Sequence, residues 1–133
     1  MRHHFSISYS GGFEPISEWL RRQAAENPLL ALDDDAHGQF AIVVTASPEI
    51  ARWQQEQLNA GRTVLTGACV IEVVPKLAVI VVNQECGEYE RAAMANLIRE
   101  LLKQFPNWSI YDEDTRAEIT DLVHAEVGEL FDS

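Results

Sequence analysis

Phe40-Ala41-Ile42-Val43-Val44-Thr45-Ala46-Ser47-Pro48-Glu49-Ile50 carries the two signals on which the fold turns. Its first five residues are apolar on both alternating sides, the pattern of a strand covered on both faces. Ser47 then offers a hydroxyl to free backbone N–H groups, Pro48 suits the first helical position, and Glu49 suits the positive end of the helix dipole. A buried strand running within three residues into a capped helix predicts a mixed α/β chain.

Downstream, the spacing places Ile50, Trp53 and Leu58 on the inner side of this helix, and Gly61 ends it. Two strand-like runs follow, Thr63 to Val74 and Leu77 to Val82, with only Pro75-Lys76 between them. So short a connection makes an antiparallel hairpin. Gly67 reads as a bulge. From Gly87 to Phe105, residues Met94, Leu97, Ile98, Leu101 and Phe105 form the strongest helical stripe in the chain, which Pro106 closes. Trp108 to Tyr111 alternates as a short strand. Thr115-Arg116-Ala117-Glu118 has the capping-box form, predicting a last helix through Ile119, Leu122, Val123, Val127 and Leu130.

Upstream, residues 3–9 alternate with Phe5, Ile7 and Tyr9 on one side, which marks a half-exposed strand. Gly11-Gly12 ends it. Ile16, Trp19, Leu20 and Ala24 then give a helix over residues 14–26, stopped by Asn27-Pro28. Leu29 to Gly38 reads as irregular. The resulting order is βα-βαββαβ-α in one α/β (α+β) domain over residues 1–133. Its middle part, residues 38–111, has the element order of a ferredoxin-like split βαβ core. Trp19, Trp53 and Trp108 all fall at core-facing spacing.

Ten basic residues face twenty-one acidic ones, a formal charge of −11. That balance excludes a nucleic-acid-binding surface, which needs Lys and Arg for phosphates, and docking on anionic membranes. It favours basic protein faces as partners. No run of about eighteen apolar residues suits a membrane span. Two unpaired-looking cysteines, Cys69 within an apolar run and Cys86, suggest a reduced, cytoplasmic protein. No cofactor motif is present.

Cys86 is the candidate nucleophile, set between a strand and a helix start where N–H groups lower a thiol pKa. Cysteine phosphatases place five residues between nucleophile and Arg. Here four residues separate Cys86 from Arg91, and Glu85, Glu88 and Glu90 crowd an anion cradle. A base such as His37 or His124 would have to come from the fold. Asp33, Asp35 and His37 are candidate divalent-metal ligands. The twelfth position from Asp33 is Val44, where a calcium loop needs a bidentate Glu, so an EF-hand is excluded.

From Asp112 to Ser133 the chain holds eight acids against one base, Arg116. Concentrated like charge opposes folding, and a partner gives a reason to tolerate it. Asp112, Glu113, Asp114, Glu118 and Asp121 are the candidate partner-binding residues. The leading expectation is a non-catalytic acidic protein of inhibitor or immunity type that engages a basic protein. The alternatives are a small enzyme built on Cys86, and a homodimeric regulatory or ligand-binding module paired through sheet edges.

Overall fold

In a computed structural model, the described residues are 4–34, 39–62, 69–83, 87–113 and 116–118. β1 (His4–Tyr9) alternates as its sequence predicts and runs into α1 (Glu14–Glu26), with Pro15 in the first turn. β2 (Leu30–Asp34) and β3 (Phe40–Val44) follow, then α2 (Pro48–Asn59). Ser47 caps α2 by accepting the Ile50 N–H at 3.3 Å. Gly61, at φ +79°, takes the left-handed conformation that ends such a helix cheaply. β4 (Cys69–Val74) and β5 (Val79–Asn83) make the expected hairpin around a 3₁₀ turn over Pro75–Leu77. α3 (Glu88–Gln104), β6 (Trp108–Asp112) and the two-residue β7 (Ala117–Glu118) complete the order.

All seven strands join one antiparallel sheet in the order β2-β3-β4-β5-β1-β6-β7. The fold is therefore mixed α/β, but two strands larger than the sequence suggested, and its strand order departs from a split βαβ unit. β3 and β4 pair directly with each other, and β1 fills the place between β5 and β6. The reason is visible in the register. Phe5 and Ile7 lie opposite Val82 and Ile80 on one side and opposite Asp112 and Ile110 on the other, so one apolar row runs through the join.

The sheet has two unlike faces. On one, the row Leu32, Ile42, Ile71, Val82, Phe5 and the row Phe40, Val73, Ile80, Ile7, Ile110 lie under α1 and α3. Ile16, Leu20 and Ala24 of α1 and Met94, Leu97, Ile98, Leu101 and Leu102 of α3 fill this core. Trp108 is buried with them, and its indole N–H donates to the Leu102 carbonyl at 3.2 Å. Trp19 meets Phe105 edge-on at 6.1 Å, tying α1 to the end of α3. None of the described helices is long and apolar enough to cross a membrane.

α2 takes a different place. It packs beside β2, at the margin of the sheet, with Ala51 and Gln54 as its buried residues. Ile50 and Trp53 are 39% and 48% exposed, which corrects their predicted inward orientation. A helix at an edge turns a different side inward from one lying across a face, and periodicity alone does not tell the two apart.

Two further expectations are corrected. Leu30–Asp34, read as irregular, is a strand. Thr115–Glu118 does not open a helix at Ala117 and Glu118, which pair with Asp112 and Tyr111, after Arg116 at φ +57° turns the chain back. The helix expected beyond it lies outside the described residues, as does the bulge expected at Gly67.

Candidate functional site

The face opposite α1 and α3 carries the unusual chemistry. One register row crosses all seven strands as Asp33, Ala41, Glu72, Val81, Ser6, Tyr111 and Glu118. At the usual strand spacing this row extends roughly 29 Å. Asp33, Glu72 and Glu118 are exposed, and Tyr111 presents its ring at 38% exposure. Neighbouring rows hold Ala31 and Val43, fully buried at the β2 end, Val70, Val74 and Val79, half-buried, and Ser8 and Ser109, exposed. Glu113 continues β6: its N–H donates to the His4 carbonyl at 3.0 Å, and its carboxylate accepts the Ser6 hydroxyl at 3.2 Å.

No described strand contains Lys or Arg. Every described cation lies on a helix, a turn or a loop: Arg21, Arg22, Arg52, Arg62, Lys76, Arg91, Arg99, Lys103 and Arg116. The strands hold Asp33, Asp34, Glu72, Asp112 and Glu118. Arg21 reaches Asp34 in a bidentate pair at 2.7 and 3.1 Å while its guanidinium sits 4.1 Å over the Phe40 ring. The Arg21 hydrogen bonds hold the Asp34 carboxyl below the usual carboxylate range.

The candidates named from sequence are dispersed. Asp112 is 1% exposed, because its register opposite Phe5 turns it to the covered side; a carboxylate so placed is not presented to a partner. Glu113 and Glu118 stay on or beside the open row, while Asp114 and Asp121 lie outside the described residues. Asp33 is exposed, and Asp34, its neighbour in an extended strand, points to the opposite face. Asp35 and His37, the other metal candidates, lie outside the described residues, as does Cys86. Among the described residues no group of three His, Cys, Asp or Glu side chains could hold a metal ion. Cys69 is fully buried and disulfide-bonded, which corrects its reading as a free apolar thiol and withdraws that support for a reduced compartment.

Sequence reasoning missed Glu72 and Tyr111. Glu72 breaks an apolar run, Cys-Val-Ile-Glu-Val-Val, at a position of outward phase, and that interruption was the available signal. Missed as well was Gln55, whose side-chain oxygen accepts the Leu32 N–H at 2.8 Å and whose side-chain nitrogen donates to the Leu32 carbonyl at 2.9 Å. Compared with known proteins, the chain matches no family model, no curated relative and no solved structure.

Proposed function

We propose that the protein is a non-catalytic binding module whose acidic sheet face, exposed at Asp33, Glu72 and Glu118, engages a basic protein partner, as an inhibitor or immunity-type protein would. The observation that carries this reading is the row of Asp33, Glu72 and Glu118 on strands that hold no cation among the described residues. A face whose described strands carry charge of one sign projects its potential outward and raises encounter rates with an opposite charge. The exposed Tyr111 ring between Ser6 and Glu118 adds an amphipathic contact of the kind enriched at interfaces and suited to guanidinium stacking. Acidic surface of this kind repels nucleic acid and anionic lipid.

The test is affinity capture with the full chain, followed by kinetics on the captured protein. A basic protein should associate more slowly, and with a flatter salt dependence, with a chain carrying Asp33→Asn, Glu72→Gln and Glu118→Gln. Capture of only neutral or acidic proteins, or association unchanged by the three substitutions, overturns the reading.

A further inference from the structure

We propose that the outer edge of β2 is a docking strip for an extended basic peptide segment, with the Gln55 carboxamide as its built-in stand-in. Among the described strands β2 ends the sheet, and only β3 pairs with it. In an antiparallel ladder alternate residues turn their N–H and C=O groups away from the neighbour. Leu32 is one of these, since both its groups go to Gln55. Leu30 is another, its N–H donating to the Asn27 carbonyl at 3.1 Å.

A primary carboxamide is chemically a peptide group. Gln55 gives Leu32 one donor and one acceptor at 2.9 and 2.8 Å, the pair of bonds that a residue of an added strand would make. The second Gln55 N–H donates to Asn59 Oδ1 at 3.1 Å, which aims the group at the edge. Exchange of the carboxamide for a peptide therefore swaps two hydrogen bonds for two equivalent ones.

There is also space along the strip. Between α1 and α2 a half-open cleft of about 490 Å³ lies on one side of Gln55 and another of about 260 Å³ on the other. Both are walled on α1 by the small side chains of Ala24 and Ala25. Charge sets the direction. Asp33 lines the larger cleft and Arg52 the smaller, beside Leu30. A segment running antiparallel to β2 would bring a basic side chain to Asp33 first, then a carboxylate to Arg52. This rests on the basic-partner reading and names the form in which that partner is gripped.

The probe is a synthetic Lys-Val-Lys-Val-Glu peptide, compared with its backbone N-methylated twin and a Gln-Val-Gln-Val-Gln analogue, each titrated onto the full chain. Gln55→Ala should bind the first peptide about tenfold tighter than the native chain, because a competing state is removed. Gln55→Met, which leaves no polar stand-in, serves if the alanine variant does not fold. N-methylation should abolish binding, and Ala25→Leu should abolish it with the thermal midpoint unchanged. Equal binding of the N-methylated twin overturns the strip and leaves the acidic-face reading standing. No charge preference between the lysine and glutamine peptides overturns both. A Gln55→Ala chain that dimerises without peptide assigns the edge to a second copy and overturns the peptide.

Discussion

The two faces of the sheet differ in what their side chains are for. The covered face is continuous apolar packing under α1 and α3, with Asp34 at the β2 end clamped by Arg21 and Asp112 buried opposite Phe5. The other face sets buried Ala31 and Val43 and half-buried valines among serines, carboxylates and a tyrosine. Period-two alternation writes both faces into the same strands. A strand such as β4, Cys-Val-Ile-Glu-Val-Val, thus contributes Ile71 to stability and Glu72 to the surface potential. The contrast teaches that stability and charge are carried on separate sides and should respond separately to substitution.

The largest effect expected is on the covered side. Ile42→Ala or Ile71→Ala, each at a fully buried position, should cost about 2–5 kcal/mol in chemical denaturation. Val81→Ala, half-buried on the other side, should cost about 1 kcal/mol or less. Similar losses at the two positions would break the contrast. Next in size is the disulfide at Cys69 on the covered side. Reduction should lower stability by about 2–4 kcal/mol, and thiol titration of the unfolded, unreduced chain should find no free thiol. A titratable thiol in that assay would contradict the disulfide at Cys69.

A smaller effect belongs to Arg21. Arg21→Ala removes an exposed bidentate pair and a ring contact, together about 1 kcal/mol. Because the folded pKa of Asp34 is depressed, its pairing stabilises the protein above the unfolded value of about 3.9. That contribution fades as the pH falls through the lower folded value. Asp34→Asn should flatten the acid limb of a stability-versus-pH curve, and an unchanged limb would show the pair to be inert. Smallest of all, neutralising Asp33, Glu72 and Glu118 should shift stability by about 0.5 kcal/mol or less, whereas the proposed partner should associate markedly more slowly.

Much of this fold was legible where local chemistry is strong. Ser47-Pro48, Asn27-Pro28, the Pro75-Lys76 connection and the Met94 to Leu101 stripe each fix an element through caps, breakers or a long periodic run. β2 was not legible. Leu-Ala-Leu-Asp-Asp has no β-branched residue and ends in two carboxylates. It becomes a strand because β3 supplies a ladder, Gln55 satisfies its outer groups and Arg21 neutralises Asp34. At 115–118 a capping-box pattern lost to pairing with Tyr111 and Asp112, a case of tertiary context overriding a four-residue signal. The candidate site was legible only in sign. Net charge pointed to a basic partner, but which acids share a face depends on register, and register buried Asp112 while aligning Glu72 with Asp33.

The place of β1 has a consequence for how the molecule assembles. Its residues stand between β5 and β6, and the Ser6 to Glu113 hydrogen bond joins groups 107 positions apart. During synthesis β1 must wait, with Phe5 and Ile7 unsheltered, at least until β5 has emerged to pair with it. Pairings so distant along the chain make for slow folding, and a waiting apolar strand invites self-association. β6 and β7 can join the sheet only beyond β1, so the seating of this strand on β5 sets how long a nascent chain needs protection.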